Sequence, residues 1–232
     1  MTRYAVYALP GALGPDDAAE AVRLRDAAQA WYAREEFCDL TVDARRYGFH
    51  ATLKAPFRLA EDRTEAELRT AADVFAADRA ALVVPALEPR PFGPLRALVP
   101  QREEPAIDAL AAAAVREFER FRAPPGEAEP GRRRAGQMTP RERELFRRWG
   151  SPHVLDEFRF HLTLTDPVPE ERAAEVDAAL AVHFAQTAGV DVALRAIALF
   201  VEPEPGAPFE ILSVHPFSDP VPLATPVPQE TA

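Results

Sequence analysis

The sequence predicts an α+β fold made of two similar lobes, each an antiparallel sheet with helices on its outer side. Two observations lead to this prediction. Short alternating strands are separated by helical segments along the whole chain. In addition, a strand containing His-x-Thr-Leu, followed by a helix and two more strands, occurs twice. Leu82 follows His50 by 32 residues and Val192 follows His161 by 31, so the two units are matched in length.

Local signals set the bounds of the elements in the first half of the chain. Thr64 and Glu67 form a capping box, and Asp16 is placed as a helix cap. Pro56 stops a strand, whereas Pro105 suits the first turn of a helix. The predicted elements are a strand at 3–9, a helix at about 16–36, a strand at 47–57, a helix at about 64–78, strands at 81–87 and 92–99, and a helix at about 105–121.

The second half repeats this order after a linker-like stretch at 123–136, which is rich in Pro, Gly and Arg. Thr139 and Glu142 form a second capping box, and Gly150 ends that helix. The further predicted elements are a strand at 158–165, a helix at about 170–187, and strands at 191–201 and 209–214.

We predict a single bilobal domain over 1–217, followed by a loose Pro-rich tail at 218–232. Its parts are lobe one at about 1–100, a connector with helices at about 101–150, and lobe two at about 151–217. The stretch 123–136 is interpreted as a solvated connector, with a lid over an anionic ligand as the alternative. The sequence leaves the oligomeric state open.

Composition excludes several classes of function. The net charge of −10 argues against a protein that binds duplex nucleic acid, because such binding requires a basic face. The lone Cys38 excludes an internal disulfide framework, and no apolar run is long enough to span a membrane. The short, alternating N-terminal apolar segment does not suit a secretory signal. We therefore expect a cytoplasmic protein whose partner is a small phosphorylated molecule.

The two His-x-Thr strands carry the candidate chemistry. Because side chains on a strand alternate between faces, each strand is predicted to present three polar residues on one face. These are His50, Thr52 and Lys54 in the first strand, and His161, Thr163 and Thr165 in the second. A neutral histidine and a protonated one suit phosphodiester cleavage, with threonine hydroxyls on the phosphate oxygens and Lys54 offsetting the charge that develops on phosphorus. A single such motif is more often structural, but two copies and the placement of the only lysine favour a shared site.

The paired motifs resemble those of the two-histidine (2H) phosphoesterase superfamily, which includes RNA 2′,3′-cyclic phosphodiesterases. The segments Arg46–Phe57 and Phe158–Thr165, together with Trp149, Gly150 and Arg3–Tyr7, are similar to a bacterial branch found in phosphonate-utilisation operons. The resemblance covers about residues 3–217. It implies a central cleft between the lobes and catalysis without metal or other cofactor.

The resemblance also implies roles for particular residues. His50 and His161 would be the acid/base pair, and Thr52 and Thr163 the phosphate-binding hydroxyls. Tyr7 and Tyr47 are further candidates to line the substrate site, with core or rim positions as the alternative. The predicted activity is hydrolysis of a small cyclic or nucleotide-like phosphodiester, such as a cyclic ribose phosphate. The alternatives are a non-catalytic phosphate-ligand sensor and an interaction subunit of a phosphonate-processing assembly.

Overall fold

Residues 1–124 and 138–218, which the computed structural model describes, form nine strands and six α-helices. The strands are β1 (Arg3–Ala8), β2 (Ala51–Phe57), β3 (Leu82–Val84), β4 (Leu87–Phe92), β5 (Leu95–Pro100), β6 (Leu162–Thr163), β7 (Val192–Leu194), β8 (Ala196–Glu202) and β9 (Glu210–Pro216). The helices are α1 (Ala19–Tyr32), α2 (Val42–Tyr47), α3 (Glu65–Ala77), α4 (Pro105–Phe118), α5 (Pro140–Trp149) and α6 (Ala173–His183). Nearly all of the predicted connector at 123–136 and of the tail at 218–232 lies outside the described residues, including the proposed lid.

The strands form antiparallel sheets, as predicted. A four-stranded sheet has the order β2-β1-β8-β9, a three-stranded sheet has the order β4-β5-β6, and β3 pairs with β7. Helix α4 packs on β2, while α3 packs on β8 and β9. On the other sheets, α1 packs on β7 and α6 on β4. The mixed α+β architecture is therefore confirmed.

The sheets do not divide between the two halves of the chain as predicted. Strands β8 and β9, predicted to belong to lobe two, extend the sheet that contains the His50 strand. Strands β4 and β5, predicted to belong to lobe one, pair with the His161 strand. The segment predicted as one strand at 191–201 breaks at Arg195, so that its two parts join different sheets. Each sheet is thus completed by strands from the other half of the chain.

The predicted helix ends are confirmed where the capping signal is purely local. Thr64 and Thr139 both form complete capping boxes, with Glu67 and Glu142 respectively. Gly150 ends α5 with a φ of 78°, a left-handed conformation that suits glycine. The predicted cap Asp16 is wrong, because it lies in a short 3-10 turn that precedes α1. The first part of the predicted strand at 47–57 is also wrong, since helix α2 ends at Tyr47 and β2 begins only at Ala51.

Candidate active site

His50 lies between α2 and β2 and is held by its Nδ1 atom. Gly48 ends α2 with a φ of 76°, a conformation that residues with a side chain rarely adopt. Its carbonyl accepts a hydrogen bond of 2.8 Å from His50 Nδ1. The imidazole also stacks on the ring of Tyr7, with 3.7 Å between ring centroids. These contacts leave the Nε2 atom of His50 without a proton, at 3.2 Å from the hydroxyl of Thr52.

His161 has equivalent surroundings in the second motif. Its Nδ1 donates to the carbonyl of Arg159 at 2.8 Å, again the residue two positions earlier. Its ring stacks on Phe92 with 4.0 Å between centroids. Both imidazoles are therefore fixed in one tautomer by the backbone and in one plane by an aromatic ring. The sequence did not predict the role of Phe92, because that residue lies on β4, far from the motif in the chain.

The two imidazoles interact electrostatically. Burial lowers the pKa of His50 to about 4; the bond to the Gly48 carbonyl opposes this shift, and a positive charge on His161 adds to it. Burial likewise lowers the pKa of His161, with the Arg159 carbonyl opposing and the exposed His153 adding to the shift. Both rings are therefore neutral at pH 7 in the free protein. A charge on His161 thus contributes to the pKa of His50, whereas the pKa of His161 responds to His153.

Thr52 and Lys54 do not share a face, which corrects the predicted alternation. Thr52 lies opposite Tyr7 on β1, but Lys54 lies opposite Val6, so that the register shifts by one residue. Because Val6 and Tyr7 face opposite sides of the sheet, Thr52 and Lys54 do too. Lys54 is only 1% exposed and forms an ion pair with Glu119 instead of facing a substrate.

The second motif has the same irregularity. The amides of Leu164 and Thr165 both donate to the carbonyl of Arg96, at 2.8 and 3.2 Å, so the alternation is interrupted after Thr163. Thr165 is fully buried, and its Oγ1 accepts a hydrogen bond of 2.9 Å from the Arg96 amide. The structure thus groups His50 with Thr52, and it leaves Thr163 partly exposed two residues after His161. Lys54 and Thr165 are turned into the interior.

The two predicted tyrosines have different positions. Tyr7 is buried beneath His50, so it supports the imidazole rather than contacting a ligand through its ring face. Tyr47 is partly exposed and stacks on Phe209, with 5.0 Å between centroids. Its ring centroid lies 6.4 Å from that of His50. Tyr47 therefore remains a candidate to line the substrate site.

Helix α1 anchors the His161 segment from behind. The indole Nε1 of Trp31 donates to the carbonyl of Leu164 at 2.9 Å, and the hydroxyl of Tyr32 donates to the carbonyl of Thr163 at 2.5 Å. These bonds satisfy backbone acceptors where the short strand β6 ends. No motif in the sequence indicated this role, because the partners are more than a hundred residues apart.

Asp166 joins the two motif segments directly. Its carboxylate oxygens accept hydrogen bonds from the amides of Asp43 and Ala44 at 3.0 and 2.9 Å, at the beginning of α2. A carboxylate at a helix N-terminus satisfies unpaired amides and is favoured by the helix dipole. Helix α2 leads straight to Gly48 and His50, so the residue that follows the second motif fixes the segment before the first.

Within residues 1–124 and 138–218, no three His, Cys, Asp or Glu side chains are grouped so that they would hold a metal ion. In the same residues, no helix has both the length and the apolar character needed to cross a membrane.

Two curated relatives are similar in sequence to this chain over about half of their own length. A ribose 1,5-bisphosphate phosphokinase PhnN of Janthinobacterium sp. (strain Marseille) is 36% identical over 240 residues, covering 94% of this chain and 51% of that protein. A protein of the same name from Laribacter hongkongensis (strain HLHK9) is 34% identical over 228 residues, covering 90% and 50%. The chain thus spans about half the length of the curated relatives it matches.

Solved structures that match include a phosphoesterase, with a TM-score of 0.44, 12% identity, and coverage of 94% of this chain and 99% of that one. Another is E. coli LigT complexed with NADP+, with a TM-score of 0.45, 13% identity, and coverage of 94% and 98%. A family model described as "Protein of unknown function (DUF1045)" matches residues 52–210, more than half of the chain. The chain therefore belongs to the DUF1045 family.

Proposed function

We propose that this chain is a phosphodiesterase that hydrolyses a small cyclic or nucleotide-like phosphodiester, with His50 and His161 as its acid/base pair. The observation that carries the proposal is the equivalence of the two imidazoles. Each has Nδ1 bonded to the carbonyl two residues before it and a ring stacked on an aromatic side chain. This arrangement leaves Nε2 of each ring available for proton transfer, which supports a role for both histidines in acid/base catalysis.

The lowered pKa of His50 supports an assignment of the two roles. Burial lowers this pKa to about 4, so we assign His50 as the neutral base and His161 as the acid. Its Nε2 takes a proton from water as the water oxygen bonds to phosphorus. His161, protonated when the substrate is bound, gives its Nε2 proton to the leaving oxygen as the old phosphorus–oxygen bond breaks. The product is a phosphomonoester that still carries the alcohol released from phosphorus.

Thr52 and Thr163 supply hydrogen bonds to the non-bridging phosphate oxygens. Both side chains are partly exposed, each lies two residues after its histidine, and neither is turned inward by the irregularity that follows. Hydroxyl donors at these oxygens stabilise the negative charge that grows in the transition state. The phosphate anion itself raises the pKa of nearby imidazoles, because an opposite charge favours the protonated form.

The curated relatives support a phosphorylated ribose as the substrate class. Two of them are named ribose 1,5-bisphosphate phosphokinase, although this chain matches only about half of their length. A cyclic ribose phosphate that arises from phosphonate or RNA breakdown combines this sugar with a bond that the histidine pair would cleave. Opening of its ring leaves the phosphate attached to one of the two sugar oxygens.

Turnover of 2′,3′-cyclic nucleotides and ribose cyclic phosphates in the presence of EDTA tests the proposal. We expect a phosphomonoester product, detected by ³¹P NMR, at a rate that EDTA does not lower. A rate restored only by added divalent metal would contradict the mechanism. Tight binding of these compounds without turnover would instead support a phosphate-ligand sensor.

The dependence of the rate on pH should reflect the two lowered pKa values. For kcat/KM, His50 must be neutral, above about pH 4, and His161 must be protonated, below a pKa that burial holds under 6.5. We therefore expect a bell-shaped kcat/KM profile with its maximum on the acidic side of pH 6.5, and a kcat profile displaced to higher pH by the bound anion. Initial rates between pH 4 and 9 measure both.

The substitution His153→Gln refines this measurement. A positive charge on His153 lowers the pKa of His161, so its removal should move the alkaline limb of the kcat/KM profile to higher pH. A kcat/KM profile that is flat over this range, or that rises steadily into alkali, would contradict the assigned roles.

A further inference from the structure

Two arginines meet a buried carboxylate beside His50. Glu202 is fully buried, and its carboxylate accepts hydrogen bonds from Nε of Arg3, from Nη1 of Arg46 at 3.2 Å, and from the amide of Gly206 at 3.0 Å. The side chains of Arg3 and Arg46 remain 27% and 23% exposed. The buried carboxylate therefore holds both guanidinium groups in place, and part of each arginine side chain still faces solvent.

This arginine pair lies on the side of the sheet that carries His50. The guanidinium carbon of Arg46 lies 4.2 Å from the ring centroid of Tyr47, whose ring lies 6.4 Å from that of His50. Arg3 lies over Phe209, the ring on which Tyr47 stacks. Positive charge on both arginines also lowers the pKa of Tyr7, against the larger upward effect of burial, so both are close to the ring beneath His50.

The pair carries charge and donors beyond what Glu202 requires. Glu202 balances only one of the two guanidinium charges, and the second carboxylate near them, that of Asp43, is largely exposed. Asp43 bonds Nε of Arg46 from a largely exposed position. A guanidinium has five N–H donors, so most of those on Arg3 are not needed by the carboxylate. Partly exposed arginines already held in place are suited to binding a phosphate through two parallel hydrogen bonds.

We propose that Arg3, Arg46 and Tyr47 form a subsite for a second phosphate group, carried as a monoester on the same sugar as the phosphodiester at His50 and His161. This inference rests on the proposed function and narrows its substrate class to bisphosphorylated sugars and nucleotides. Tyr47 lies between the arginine pair and His50, since its ring centroid is 4.2 Å from the guanidinium carbon of Arg46 and 6.4 Å from the His50 ring centroid. Glu202 is a positioning residue, because it acts by holding the two arginines.

A pair of substrates that differ only in the second phosphate tests the subsite. The probes are adenosine 2′,3′-cyclic phosphate and the same compound with a 5′-phosphate. Because the second phosphate would gain charge-assisted hydrogen bonds, we expect kcat/KM to be about 10- to 100-fold higher for the 5′-phosphorylated compound. Arg46→Gln should reduce this ratio to about threefold or less. Equal kcat/KM values for the two compounds in the wild-type protein would overturn the proposal.

Two further measurements test the subsite. One controls for an effect of the substitution on folding, and the other does not require turnover. Arg45→Gln is the matched control, because Arg45 is the preceding residue of the same helix and donates to the carbonyls of Thr41 and Cys38. It should keep the wild-type ratio, and a ratio lowered equally by both substitutions would contradict the subsite. Calorimetric binding of ribose 5-phosphate, weakened in Arg46→Gln but not in Arg45→Gln, supports the subsite even if neither nucleotide is hydrolysed. In that case only the proposed phosphodiesterase activity fails.

Discussion

His50→Asn and His161→Asn should each lower kcat for cyclic phosphodiester hydrolysis by about 10³-fold, within the range that positioned acid/base groups contribute. Asparagine is the informative replacement because its amide nitrogen occupies nearly the place of Nδ1. The bond to the carbonyl of Gly48 or Arg159 can therefore persist, while the proton carrier at Nε2 is lost. Steady-state rates and thermal unfolding, measured on the same samples, separate a chemical effect from loss of fold.

The double substitution sharpens this expectation. If the two histidines act on one reacting phosphorus, as we propose, the combined variant should lose little more activity than either single variant, as residues that work as a unit do. His183→Asn is the control: that histidine lies on α6 and bonds the carbonyl of Ala27, away from the pair. Retention of more than a tenth of wild-type kcat in either single variant would exclude the proposed roles.

The helix caps show what the sequence predicts well. Thr64 and Thr139 each bond a partner three residues away, so the signal and the contact lie in the same short segment. Each motif histidine also makes a local contact, to the carbonyl two residues before it, but the sequence analysis did not predict that bond. Local chemistry of this kind can be inferred without knowledge of the tertiary structure.

The features that the sequence did not predict depend on distant partners. Helix α2 has its N-terminal amides bound by Asp166, 122 residues away from Ala44. The stacking of Phe92 on His161 likewise depends on how β4 and β5 pair with β6. The exchange of strands between the two halves has the same origin, because β8 pairs with β1 across most of the chain. Sequence periodicity indicates strands but does not specify their neighbours.

The position of Lys54 was predicted wrongly because its strand is irregular, and side chains alternate between the two faces only along a regular strand. A single register shift between β1 and β2 turns it from the face of Thr52 to the opposite one. Its aliphatic stem is then buried, and its ammonium group donates to the carboxylate of Glu119 and to the carbonyl of Trp149. The only lysine of the chain therefore links β2 to the end of α4 and to α5. Substitution of its partner Glu119 should accordingly change the stability of the protein rather than catalysis.

Glu119→Ala should lower the free energy of unfolding by about 3–5 kcal/mol at pH 7, the usual result of removing one partner from a buried ion pair. The side chain of Lys54 is 2% exposed, so without Glu119 its charge has no solvent to compensate it. Arg122, which also bonds Glu119 at 2.6 Å, would then face Lys54 as a second unpaired cation. Chemical denaturation with urea measures the loss.

The pH dependence of this variant identifies the cause. Burial lowers the pKa of Lys54 from 10.5, attraction to Glu119 opposes this shift, and Arg122 adds to it. Without Glu119 the folded-state pKa falls further, so between that pKa and 10.5 the unfolded chain binds more protons than the folded one. Stability of the variant should therefore increase with pH through this range, starting at a lower pH than in the wild-type protein.

Lys54→Met combined with Glu119→Ala is the matched rescue, because methionine fills much of the same space without a charge. The double variant should recover a substantial part of the lost stability, since an apolar replacement of a buried ion pair is often close to neutral. It should also lose the alkaline increase, because the group that titrates is gone. If Glu119→Ala and the double variant were equally unstable at every pH, the buried charge would not be the cause, and loss of packing at the end of α4 would explain the effect instead.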